Sequence, residues 1–141
     1  MHTSKIVNKF LIIIVFILSI HSCTKHQHNI LNPNDVNNVC IYLDGNELKY
    51  NTDTAIAGFQ FNHNGCIIGA YGGDAESEEF TVNTSSSAVL GFSFAGNSIP
   101  SGSGTLITLE GDVTQECMSN FVFSDSEGGS IDIDISDSPC A

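Results

Sequence analysis

Few side chains in this sequence have the types and spacing that chemistry requires. His63 is the one histidine beyond residue 28, and a Ser-His-Asp relay would need a serine held beside it. The nearest candidate, Gly91-Phe92-Ser93-Phe94-Ala95, lies within a strand pattern and lacks the strand-turn-helix context of a nucleophile elbow. Carboxylates are plentiful, and sixteen acids make accidental proximity cheap. Asp132 and Asp134 alternate with isoleucines and read as the wet face of an edge-type strand. No feature marks the cleft with two opposed acids that a glycosidase needs. Asp74 and Glu76, in the acidic stretch Gly72–Glu79, are weak calcium candidates. Calcium wants several oxygen ligands, but the spacing is not that of an EF-hand, so a solvated loop is expected. His26 and His28 have no neighbours to complete a zinc site. The reading is a non-enzyme with no cofactor.

Charge narrows the partners. The formal net charge is −12, and no acid precedes Asp35. Lys5 and Lys9 lie in the leader, so the remaining chain sets Lys25 and Lys49 against all sixteen acids, a formal −14. Such a surface repels phosphate backbones, which are gripped by clustered Lys and Arg. Nucleic acid is excluded as a partner.

The N-terminus carries Lys5 and Lys9 and then an apolar run, Phe10 to Ile20. At about 1.5 Å per residue this run makes a helix of roughly 16 Å, against a hydrocarbon core of about 30 Å. It reads as an export signal. The run ends Leu18-Ser19-Ile20-His21-Ser22-Cys23, which resembles a bacterial lipobox. The resemblance implies cleavage before Cys23, acylation of its thiol, and anchoring to a bacterial, outer, membrane. Residues 1–22 are then the signal peptide and 23–38 a polar, aperiodic tether. Residues 39–141 form the domain.

That domain reads as all-β. Thirteen glycines and abundant Ser, Thr, Asn and Asp separate short runs with period-2 alternation. The runs are Val39–Leu43, Glu47–Asn51, Ala55–Asn62, Cys66–Ala70, Phe80–Asn83, Ala88–Ala95, Thr105–Glu110, Cys117–Ser124 and Ser130–Ile135. Asp44-Gly45-Asn46 predicts a first hairpin, and Asn64-Gly65 predicts another that pairs the third and fourth runs. Alternation puts Phe59 with Phe61, Leu90 with Phe92 and Phe94, and Phe121 with Phe123 on inward faces. It also turns Ile131, Ile133 and Ile135 inward. No stretch predicts a helix of useful length.

Ile56-Ala57-Gly58-Phe59-Gln60-Phe61, a Gly-Gly-Asp-Ala loop, Phe80-Thr81-Val82, Val89-Leu90-Gly91-Phe92-Ser93-Phe94, Ile99-Pro100 and Gly104-Thr105-Leu106 occur in that order. In this order they resemble cohesin-like domains, over roughly Val39 to Ile135. The resemblance implies a single β-sandwich of about nine strands with jelly-roll topology, within a superfamily of cellulose-binding and scaffolding modules. It further implies an extracellular recognition role, without implying a dockerin partner.

Four cysteines follow Cys23, and an even count in an exported chain favours two disulfides among three possible connectivities. A sandwich brings its first and last strands together, which favours Cys40–Cys140. Cys66 and Cys117 both begin apolar strands, which favours Cys66–Cys117. Three functions stay open: protein recognition or cell-surface assembly, capture of a glycan, and a surface protein with no discrete ligand. Sugar platforms need exposed aromatic rings. With no tryptophan, Tyr42 and Tyr71 are the candidates, provided that they lie exposed and coplanar.

Overall fold

The computed structural model describes residues 38–140. The expected signal peptide, the expected lipidation at Cys23 and the expected tether as far as residue 37 lie outside the described residues. The chain forms nine strands, β1 (Asn38–Asp44), β2 (Glu47–Thr52), β3 (Gly58–His63), β4 (Ile67–Tyr71), β5 (Thr81–Thr84), β6 (Ala88–Phe92), β7 (Gly102–Gly111), β8 (Met118–Ser124) and β9 (Ser130–Ile135). One short helix, α1 (Gly73–Ser77), lies between β4 and β5, and a 3-10 turn (Gln115–Cys117) precedes β8.

The strands join in one sheet of order β4-β7-β2-β1-β9-β8-β3-β6-β5. All pairings are antiparallel except β1 with β9. The sheet curls until its edge strands β4 and β5 lie alongside each other, so the form is nearly a barrel. β9 is the pivot. It runs beside β1 from Asp132 to Ile135 but meets β8 only at Ser130 and Ile131. This explains the gradient along its isoleucines: Ile131 is buried, Ile133 half-buried and Ile135 49% exposed. The expectation of three inward isoleucines fails at the last, where only β1 remains as a neighbour.

The interior is a phenylalanine and aliphatic core. Phe59 lies 6.2 Å from Phe80 and 6.1 Å from Phe123, ring centre to ring centre, and Phe61 stacks on Phe121 at 5.0 Å. Leu48, Ile41, Leu106, Ile107 and Leu109 face them from the other half of the sheet. Each fully buried side chain of this size contributes about 1.5–3 kcal/mol. A bulge in β8 at Asn120 (φ +53) puts two residues opposite Phe61 and brings the Phe121 ring onto it.

Three further expectations are corrected. First, β3 and β4 do not pair. β3 is flanked on both sides, by β6 and β8, and β4 pairs with β7. The Asn64-Gly65 turn, with Gly65 at φ +100, carries the chain from one half of the sheet to the other. The hairpin at Gly45-Asn46 does form, with Gly45 at φ +60 and β1 against β2 from Val39↔Thr52 to Asp44↔Glu47.

Second, the acidic loop contains α1. Ala75 is fully buried there, and Gly73 (φ +66) passes so close to β7 that a Cβ would stand 2.5 Å from the Leu106 carbonyl oxygen. The helix packs on β7 and touches β5, covering one end of the seam between the sheet edges. Asp74 accepts a 2.6 Å hydrogen bond from the Tyr50 hydroxyl. Burial, and then this bond, raise the Tyr50 phenol above its ordinary value.

Third, β6 shows its other face. Val89 and Gly91 point inward, while Leu90 is 39% and Phe94 83% exposed. Phe94 lies beyond the strand's end, and Phe92 is half-buried. The reason is the Phe59 ring: a Cβ on Gly91 would lie 2.2 Å from its Cζ. The core accepts the ring only where β6 has no side chain.

Two disulfides cross-link the fold. Cys40–Cys140 joins β1 to the segment after β9, with Cα atoms 6.0 Å apart. Cys66–Cys117 joins the approach to β4 with the turn before β8, Cα to Cα 6.3 Å, and so ties the two halves of the sheet.

Candidate functional site

The residues with catalytic types do not converge. His63 ends β3 and is buried. Its Nδ1 accepts from the Gly65 N–H at 3.1 Å, and its Nε2 lies 3.0 Å from the Ser85 carbonyl oxygen. With both ring nitrogens engaged by backbone groups, His63 serves as a structural link between the end of β3 and the turn after β5. Ser93 is at the far end of the β3–β6 ladder, where its hydroxyl accepts from the Asn97 N–H. At about 3.4 Å per residue, serine and histidine are roughly 20 Å apart. Asp132 and Asp134 point to solvent.

The other candidates are also dispersed. Asp74 is committed to Tyr50, and Glu76 is exposed. Among the described residues no three His, Cys, Asp or Glu gather as metal ligands. Tyr42 is half-buried and Tyr71 is 55% exposed. Tyr42 is on β1 and Tyr71 on β4, with β2 and β7 between them, a lateral separation of about 14 Å. These two rings alone do not form a contiguous platform. Lys49, the one Lys or Arg among the described residues, pairs with Glu47 at 2.6 Å and donates to Thr105 Oγ1 at 2.8 Å. Its hydrogen bond to Glu47 raises its pKa.

What the structure assembles is a surface. β3, β5, β6 and β8 contain no Asp, Glu, Lys or Arg, although the chain carries sixteen acids. Register lays their outward residues in two cross-strand rows. One row is Asn83, Leu90, Gln60 and Val122; the next is Thr81, Phe92, Gly58 and Ser124. Gly58 has no side chain to fill the space between Phe92 and Ser124. The result is a shallow groove of about 240 Å³ lined by Gly58, Gln60, Leu90, Phe92, Val122 and Ser124. Val122 is 54% exposed, and the exposed Phe94 ring, just beyond the end of β6, stands edge-on to Phe92 at 4.6 Å.

The groove has an apolar floor, one side-chain amide (Gln60), one hydroxyl (Ser124) and no charge. Its exposed apolar side chains are contiguous, unlike the scattered ones that a soluble surface tolerates. No acid or base lies among its lining side chains. A second hollow of about 370 Å³ opens at the other end of the edge seam, between Ile67 and Ile68 on β4 and Thr84 to Ser86. There Ile68 is 78% exposed.

Sequence reasoning placed Leu90, Phe92 and Phe94 in the core and so missed this surface. The signal that could have found it was the absence of charge from four strands of a strongly acidic chain. No protein-family model, curated protein or solved structure matches the chain.

Proposed function

We propose that this chain is a non-catalytic binding module, exported and held at the cell envelope by lipid on Cys23, that recognises another protein through the outer face of β3, β5, β6 and β8. The observation that carries this reading is the uncharged apolar groove with Phe94 exposed beside it. Aromatic and aliphatic anchors around a small hollow are the usual centre of a protein interface. Two disulfides accord with an oxidising compartment. The cohesin-like, jelly-roll reading belongs to the same proposal. In its favour are the adjacent, parallel first and last strands. So are the passages from one half of the sheet to the other between β3 and β4 and between β7 and β8.

The glycan reading is weaker, because the groove offers only Gln60 and Ser124 as side-chain hydrogen-bonding partners. The test is site-specific photocrosslinking in the native cell, with p-benzoylphenylalanine at Phe94 and, as control, at the exposed Ser101. A discrete adduct from position 94 and none from 101 is expected; equal labelling from both would sink the reading. The anchor has its own test. A Cys23→Ala chain should take up no labelled fatty acid and should leave the membrane fraction, and continued uptake would refute lipidation.

A further inference from the structure

The groove has two unlike ends. β3, β5 and β9 begin, and β6 and β8 end, at the same edge of the sheet, and the register row through Thr81, Phe92, Gly58 and Ser124 is the last at that edge. Just beyond that row the chain places Glu78 and Glu79 ahead of β5 and Asp125 and Glu127 after β8. Glu79 is held against the Phe94 side, since Asn97 Nδ2 donates to its carboxylate at 3.2 Å and to the Glu78 carbonyl at 3.1 Å. Asp125 is spent on its own hairpin, accepting from the Glu127 and Gly129 N–H groups. Glu127 and Glu79 are left exposed. Among the described residues no basic side chain answers them, because the one Lys, Lys49, lies on β2 and is paired to Glu47.

Resting on the binding-module reading, we infer that the partner is a polypeptide segment carrying one large apolar side chain flanked by Lys or Arg. The apolar side chain occupies the hollow over Gly58, and the cations face Glu79 and Glu127. Charge complementarity selects this occupant. A second copy would bring another strongly acidic chain against the same carboxylates, and an anionic bilayer would be repelled likewise. A neutral glycan would leave those carboxylates without partners and would find few hydrogen-bonding groups in the groove. The hollow is the size of a single side chain, smaller than the pockets of about 300–1,000 Å³ that enclose small molecules.

The test is a ¹H–¹⁵N NMR titration of the chain from Thr24 onward, whose core and both disulfides lie within the described residues. The probe is acetyl-Gly-Lys-Phe-Lys-Gly-amide, with Glu-Phe-Glu and Lys-Ser-Lys versions as controls. Saturable shifts at Gly58, Gln60, Leu90, Phe92 and Val122 are expected for the first peptide only, below about 10 mM, the weak end of measurable affinity. Glu79→Gln and Glu127→Gln should each weaken binding about 1.5- to 5-fold and reduce its salt dependence. Leu90→Ser with Val122→Ser should abolish the saturable shifts while the rest of the spectrum stays folded. Equal response to the Glu or Ser peptide, or no saturable groove response at all, overturns the inference. Groove shifts produced instead by maltohexaose, by phosphatidylcholine vesicles or by raising the protein concentration would also overturn it. Any of these last three would name another occupant and leave the groove as a binding site. Failure of the crosslink at position 94 removes the module reading itself.

Discussion

Gly91→Ala tests the reasoning about β6 most directly. Gly91 is not among the glycines with positive φ, so an alanine fits its backbone. On backbone grounds alone the substitution should stabilise, by about 0.4–1 kcal/mol, because it narrows the unfolded ensemble. The Phe59 ring reverses the sign. The added Cβ would lie 2.2 Å from Cζ, 2.4 Å from Cε1 and 2.8 Å from Cε2, so ring or strand must move by more than an ångström to reach ordinary contact. The ring has nowhere to go: it is 2% exposed, with Phe80 and Phe123 against it. Overpacking of this kind costs about 1–3 kcal/mol, or a fall in Tm of about 4–8 °C per kcal/mol for a domain of this size. Phe59→Leu alone should cost about 1–2 kcal/mol as a partly filled cavity. In the double variant the clashing ring atoms are gone, so its cost should match Phe59→Leu alone. The resulting coupling, about 2 kcal/mol, is read from urea unfolding of all four proteins. A neutral or stabilising Gly91→Ala, or strictly additive costs, would refute the inward position of Gly91.

Replacing the pair Cys66 and Cys117 by alanine opens a loop of sequence separation 51. Chain entropy puts the loss at about 4 kcal/mol, measured as a lower urea midpoint under oxidising conditions. Tyr50 sets an alkaline limit. Its folded pKa is raised, so its contribution is complete below the ordinary tyrosine value of about 10 and is lost as pH rises beyond it. Tyr50→Phe should flatten the fall in stability above about pH 10, and an unchanged alkaline slope would count against the Asp74 contact. Gly73→Ala combines a left-handed φ of +66 with a Cβ 2.5 Å from the Leu106 carbonyl oxygen. It should lower Tm and expose the seam between β4 and β5 to faster amide exchange.

Much of the fold was legible because strands write their period into the sequence. Each of the nine alternating runs is a strand, with ends displaced by a few residues. Ser130–Ile135 is read with its bounds intact because isoleucine and aspartate alternate there, although Ile135 lies exposed where the strand leaves β8. What escaped was non-local. In Val89-Leu90-Gly91-Phe92, both faces carry apolar residues, and a glycine contributes nothing to a hydrophobic pattern. Only the Phe59 ring across the core decides which face is inside. Asn64-Gly65 advertises a turn faithfully, but the partner of the next strand depends on β7, forty residues away in the sequence, roughly speaking. α1 escaped because five residues with a single buried position, Ala75, display no period. The candidate site was misread for the same reason as β6, since its anchors are the apolar residues that a pattern assigns to the core.

The pairing of β1 with β9 also has a mechanical meaning. The two strands are parallel, and Cys40 near the start of one is bonded to Cys140 beyond the end of the other. A load applied between Asn38 and Cys140 therefore runs through Cys40 and one covalent bridge, bypassing the hundred positions in between. With the bridge reduced, the same pull falls on the β1–β9 ladder along its length, so that its hydrogen bonds must yield together in shear. The bridge thus clamps β1 to the segment after β9, so that these two ends of the described domain part only after a covalent bond is cut.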